Sequence, residues 1–310
     1  MADETNPLRA RFEPTVLVAV VMLVVAMVSM QAGAAFAKGL FPRVGPQGAT
    51  ALRLGFSAII LAAVRRPWRH FGPVRTLPPL VAYGLCLGAM NTLFYMALRT
   101  VPLGVAIALE FIGPLSVALF ASRRWMDIAW IVLATAGLLL LLPVWRTLPA
   151  IDPGGAVLAL ASGACWALYI VFGRRVGHTY GSAGTALGMA IAAVVFVPVG
   201  IANAGPAGFD LALLPSGLIL AVLSSALPYS LEMIALTRIP PQAFGALMSL
   251  EPAVGAIAGL MVLGERPAPV QWAGIGCVML ASLGATLMLR PVGAPPPAPA
   301  EKPQNPVGLT

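Results

Sequence analysis

Apolar residues run almost unbroken along this chain, interrupted at intervals by charged residues or by Pro- and Gly-rich stretches. The runs fall near residues 14–36, 46–64, 77–98, 103–121 and 127–145, and again near 153–172, 182–203, 214–236, 241–263 and 269–289. Each approaches the roughly 20 residues that a helix needs to cross a hydrocarbon layer of about 30 Å. The pattern predicts an all-α polytopic membrane protein of ten transmembrane helices. Residues 1–13 read as a cytoplasmic N-terminus, and the Pro- and Ala-rich stretch 291–310 as a disordered cytoplasmic tail.

The two sets of runs resemble each other. Ala97-Leu98, Pro102 and Pro114 recur 138 positions later as Ala235-Leu236, Pro240 and Pro252. Thr50-Ala51-Leu52 likewise recurs as Thr185-Ala186-Leu187. The chain therefore reads as two repeats, 14–145 and 153–290. With five spans each, the second must be inverted relative to the first, an arrangement that places a substrate site at the repeat interface near the bilayer midplane. Gly84 with Gly88, Gly184 with Gly188, and Gly255 with Gly259 are GxxxG pairs, read as helix packing.

Composition agrees with lipid as the solvent. The chain is 59% hydrophobic and 10% charged, with a mean hydropathy of +0.90, against about 45–50% apolar and 25% charged in a soluble domain. The net charge of +8 does not point to nucleic acid, because the basic residues sit in short loops, often as pairs such as Arg123-Arg124 and Arg174-Arg175. Of the 19 Lys and Arg, thirteen lie on the cytoplasmic side if both termini are inside, and five, Lys38 among them, on the outside. The positive-inside rule selects that orientation in a bacterial inner membrane. Ala35-Phe36-Ala37 imitates a signal-peptidase site, yet the run before it is too long for a signal peptide and reads as a retained span. Cys86, Cys165 and Cys277 lie in separate runs and predict free thiols. No metal-ligand or nucleophile spacing occurs, and His70 and His178 fall in basic loops, so neither an enzyme nor a cofactor is expected.

A charge at the bilayer centre costs about 2.5–3.5 kcal/mol on insertion scales, so Arg53, Glu110 and Glu251 stand out. Both glutamates sit by a repeat-matched proline, and superposing the repeats puts each within one helical turn of the other's position, flanking a central cavity. The alternative is an ion pair such as Arg53 with Glu110 that only holds helices together. Helical spacing groups Gln31 with Lys38, Asn91 with Tyr95, and Trp166 with Tyr169 on inward faces. Tyr229 and Glu232 share a face of the eighth span, although Glu232 could instead pair with Arg238 at the interface.

Met90-Asn91-Thr92-Leu93-Phe94-Tyr95, Ala108-Leu109-Glu110-Phe111, Leu227-Pro228-Tyr229-Ser230-Leu231-Glu232 and Met248-Ser249-Leu250-Glu251-Pro252 resemble the threonine/homoserine exporter family, in the EamA branch of the drug/metabolite transporter superfamily. The likeness runs from about Val25 to Arg290; the Pro-rich tail departs from it. The resemblance implies a ten-helix fold of two inverted repeats, cytoplasmic termini, and export of small amino acids such as threonine and homoserine.

With the amino-acid substrate that the resemblance implies, its ammonium is expected near Glu110 or Glu251 and its carboxylate near Arg53 or Lys38. Asn91, Tyr95 and Gln31 would bond the substrate hydroxyl. Burial penalises a charged carboxylate, which makes Glu110 and Glu251 the candidates for proton antiport. Two alternatives stay open: export of another metabolite, such as an aromatic amino acid or a drug, and a non-transporting assembly subunit. A homodimer is also left open.

Overall fold

The computed structural model describes residues 14–69, 77–121, 127–141, 152–181, 183–206, 210–236, 238, 244 and 247–288. The expected N-terminal segment 1–13, the tail 291–310, His70 and Arg123-Arg124 lie outside these residues. Every regular element among those described is helical. Five helices are long and apolar enough to cross a membrane, and shorter apolar helices accompany them.

The first two expected spans form one element, α1 (Pro14–Arg65), of 52 residues. At about 1.5 Å per residue it is far too long for one crossing. Gly45 breaks it: its φ of 67° and ψ of 173° are open to glycine, and Pro42 and Pro46 flank it. The two limbs run side by side, since Ser29 and Arg53 reach the consecutive carbonyls of Leu223 and Ser224. Lys38 and Arg43 are thus helical rather than in a loop. Ala35 and Ala37 of the imitation cleavage site are buried in the same helix.

The next elements are α2 (Leu77–Ala97), α3 (Leu103–Glu110), α4 (Ile112–Ala121) and α5 (Asp127–Leu141). The fourth expected span is therefore broken at Phe111 into α3 and α4. Pro114 explains the break, because it lacks the N–H that would cap the Glu110 carbonyl from four residues on. Next is α6 (Pro153–Tyr180), whose start is set by Asp152, accepting from the N–H groups of Gly154 and Gly155, with Pro153 in the first turn. Then come α7 (Ala183–Ala204), α8 (Leu214–Ala221), a π-helical turn at Val222–Ala226, α9 (Leu227–Leu236), α10 (Glu251–Leu263) and α11 (Pro269–Met288).

Within the bundle α1 packs on α7, α8 and α9, α2 on α6 and α7, α3 on α6 and α10, and α5 on α11. The main core gathers residues such as Tyr95, Leu103, Leu109, Ala159 and Ile275 from elements of both halves of the chain. Many large apolar side chains instead face outward, including Val21, Ile131, Val194 and Met261. An exposed apolar surface this wide fits lipid rather than water. The three cysteines are free and half-buried, as the sequence predicts.

Candidate functional site

The widened turn before α9 shows how the sequence builds the site. Leu227 donates its N–H to the Val222 carbonyl rather than to that of Leu223. The Leu223 carbonyl is left without its helix donor, and Ser29 Oγ supplies one at 2.8 Å. Ser224 lacks a donor too, because four residues on stands Pro228. Its carbonyl accepts from Arg53 Nη2 at 3.1 Å. π-turns and proline breaks free backbone groups in this way, and in a membrane those groups must find internal partners.

Arg53 also donates to the Tyr95 hydroxyl at 3.3 Å and lies 5.6 Å from the centre of that ring. It is 7% exposed. No carboxylate among the described residues lies within salt-bridge range of it. The expected alternative, an Arg53–Glu110 ion pair, does not form here. A buried guanidinium held only by neutral groups is costly, and an incoming anion would neutralise it.

Arg53 borders a central cavity with about 850 Å³ of empty space, open mouth included. Gln31, Asn91, Glu110, Trp166, Tyr169, Tyr229, Glu232 and Glu251 line it as well, joined by Met30, Phe94, Ile107 and Met248. Both limbs of α1 and helices from both halves of the chain contribute. Three carboxylates face one guanidinium, so the lining favours cationic groups, whether an ammonium or protons.

The two central glutamates differ. Glu251 Oε1 accepts from Gln31 Nε2 at 3.3 Å, while Oε2 is buried without a partner among the described residues. Such an orphan costs about 1–3 kcal/mol unless something fills its place. Glu110 Oε1 instead accepts from Ser162 Oγ at 2.5 Å. Asn91 donates to the Leu87 carbonyl at 2.8 Å, which leaves its Oδ1 for other partners. Trp166 meets Phe111 edge-on, with ring centres 5.5 Å apart, and Tyr169 stacks on Tyr83 at 4.7 Å.

Nine of the eleven residues expected at the site thus line one cavity. Tyr95 is fully buried and acts on it through Arg53. Lys38 is elsewhere: its Nζ pairs with Glu265 Oε1 at 2.6 Å and donates to the Val101 carbonyl at 3.2 Å. Glu265 Oε2 accepts the Leu103 N–H at 2.7 Å, at the start of α3. Gly264, in a left-handed turn with φ 67°, ends α10 and is followed directly by Glu265. Sequence reasoning missed Ser162, Glu265 and the carbonyls of Leu223 and Ser224. The signal for the last was present in Pro228, four residues after Ser224.

A model of the EamA-like transporter family matches residues 153–287. The threonine/homoserine exporter RhtA of Escherichia coli K12 is 52% identical over 272 residues, covering 87% of this chain and 92% of that protein. The chain belongs to the EamA-like transporter family. It is a multi-pass membrane transporter and not an enzyme. The exporter of the same name from Salmonella typhimurium LT2 is also 52% identical over the same share. An uncharacterised Pseudomonas aeruginosa protein is 34% identical over 140 residues, 44% of this chain. One solved crystal structure matches with a TM-score of 0.53 at 19% identity, over 87% of this chain and 96% of its own, a likeness of fold.

Proposed function

We propose that this EamA-family chain exports threonine and homoserine across the bacterial inner membrane by alternating access, as proton antiport. In this reading ten spans form two inverted five-helix repeats, 14–145 and 153–290, with both termini cytoplasmic. The observation that carries it is a pair of unsatisfied groups on one cavity: the Arg53 guanidinium, without a carboxylate in contact, and a Glu251 oxygen without a hydrogen-bond partner, both among the described residues. A zwitterionic amino acid supplies the complement of both, its carboxylate to Arg53 and its ammonium to Glu251. Asn91 and Gln31 are within the same lining and offer amide groups to a side-chain hydroxyl. A site built to bond a hydroxyl rejects the analogue lacking it far more strongly than an apolar pocket can. The names of the enteric relatives agree with that substrate class. Both halves of the site come from one chain, so a homodimer is not required.

The test is uptake of radiolabelled threonine and homoserine into inside-out vesicles. Wild-type protein should accumulate both, and Arg53→Gln and Glu251→Gln should not. Accumulation that survives both substitutions removes this site. Absence of flux with wild-type protein in liposomes, beside copurification of a stoichiometric partner, would instead mark an assembly subunit.

A further inference from the structure

The hydroxyl of Ser162 stands between two acceptors. It lies 2.5 Å from Glu110 Oε1 and 2.8 Å from the Met90 carbonyl oxygen, and Ser162 is fully buried. A serine hydroxyl carries one proton and two lone pairs. When Glu110 is ionised both neighbours can only accept, and the single proton serves the carboxylate; the short distance fits a charge-assisted O–H···O⁻ bond. When Glu110 is protonated it donates to Ser162, which turns its own proton to Met90. That carbonyl lies inside α2, where it keeps its helix bond in either case. One hydroxyl rotation therefore satisfies both protonation states of Glu110, with no movement of heavy atoms.

The contact depends on an unusually close helix crossing. A Cβ on Gly163 would lie 2.5 Å from the Glu110 carbonyl oxygen, and one on Gly113 would lie 2.5 Å from the Gly163 carbonyl carbon. Glycine at both positions lets α6 approach the α3–α4 break until Ser162 reaches the carboxylate. The free Glu110 carbonyl, released by Pro114, faces this same crossing.

We propose that Ser162 is the positioning residue for proton exchange at Glu110, and that the two central glutamates divide their work. Glu110 takes a proton from cavity water and returns it there; Glu251, with its unpartnered oxygen, holds the substrate ammonium. This rests on the exporter reading above. The ionisable groups around Glu110 are Arg53 from α1, Cys165 and Tyr169 from α6, Tyr229 and Glu232 from α9, and Glu251 from α10; α2 presents the uncharged Asn91. Among the described residues, only Ser162 bonds the Glu110 carboxylate directly.

The experiment measures proton-driven threonine accumulation in proteoliposomes as a function of pH, for wild type, Ser162→Ala and Ser162→Thr. Loss of the donor to the ionised form should move the midpoint of the Ser162→Ala profile to higher pH by about one unit, a tenfold change in proton affinity. Ser162→Thr keeps the hydroxyl and should follow wild type. An inactive Ser162→Ala beside a wild-type-like Ser162→Thr also supports the inference. Coincident wild-type and Ser162→Ala profiles would overturn it, as would inactivity of both variants, which would show a packing role. Wild-type export indifferent to pH overturns it together with proton antiport, while leaving threonine export itself standing. No threonine flux in wild type defeats that reading, and this inference with it.

Discussion

Two buried or half-buried cations on one helix have opposite surroundings. Lys38 is 22% exposed and locked to Glu265, which is 13% exposed and bonded in turn to the start of α3. Arg53, fifteen positions along α1 and across its Gly45 kink, is more deeply buried and has no carboxylate in contact among the described residues. A charge already neutralised by its own protein has no call on a ligand; one left with neutral partners does. Lys38 therefore joins the two halves of the chain, and Arg53 offers the cavity an anion site.

The largest effect should come from Arg53. Replacement by Gln removes the charge, and replacement by Lys keeps it while losing the planar fork that spans Tyr95, Ser224 and the cavity. Both should lower threonine export by about thirtyfold or more, the scale of 2–5 kcal/mol for truncating one member of a desolvated charge pair. Their thermal unfolding in detergent should stay near wild type. Export by Arg53→Lys at the wild-type rate would show that a point charge suffices and dissolve the contrast with Lys38.

Lys38 should give the reverse pattern. Glu265→Gln leaves the ammonium without its counter-charge, although the amide oxygen can still accept from Leu103. Partial exposure moderates the loss, so we expect about 1–3 kcal/mol of stability. Lys38→Met combined with Glu265→Gln should recover most of it, since no ammonium is left unpaired and the amide oxygen still accepts from Leu103. Thermal unfolding of wild type and these two variants decides this. A double variant as unstable as Glu265→Gln would mean that the pair, rather than the orphaned charge, carries the stability.

A smaller effect belongs to Tyr95, which touches Arg53 and not the cavity. Tyr95→Phe removes one acceptor from the guanidinium and keeps the ring beneath it. Export should fall about threefold to tenfold, matching roughly 1 kcal/mol for one hydrogen bond. A loss as large as that of Arg53→Gln would mean that Tyr95 itself touches substrate.

How far the sequence reaches is visible in these same residues. Hydropathy located the apolar helices because a 20-residue apolar run has few other solutions. The repeat match between the prolines brought Glu110 and Glu251 to one cavity, since a proline break and a buried charge are both conspicuous. Lys38 read as a loop charge because Arg43, Gly45 and Pro46 follow it closely; only the continuation of the helix to the kink shows it inside. Its partner Glu265 is 227 positions away, beyond any local periodicity. Ser162 gave no signal either. A serine in an apolar helix most often bonds its own backbone, as Ser116 and Thr135 do here, and only the Gly113–Gly163 crossing makes it a carboxylate partner.

The weakest effect sharpens the comparison from outside the cavity. Asp152 is a fully exposed carboxylate with no cation in contact among the described residues; it accepts instead from the Thr100 hydroxyl at 2.9 Å and from the N–H groups of Gly155 and Gly154. The Thr100 bond first, and the Gly155 bond next, hold its carboxyl below the ordinary value of 3.8. A folded value below the unfolded one means that its contribution is fully present above 3.8 and is lost as the pH falls through the folded value. The thermal midpoint of wild-type protein should therefore fall more steeply than that of Asp152→Asn between about pH 4 and about pH 2, with parallel curves near neutrality. Asparagine keeps one capping oxygen and does not titrate in this range, so the difference in slope isolates the charge. Parallel curves throughout would show that at this exposed end the hydrogen bonds act without regard to charge, the opposite of what Arg53 requires in the cavity.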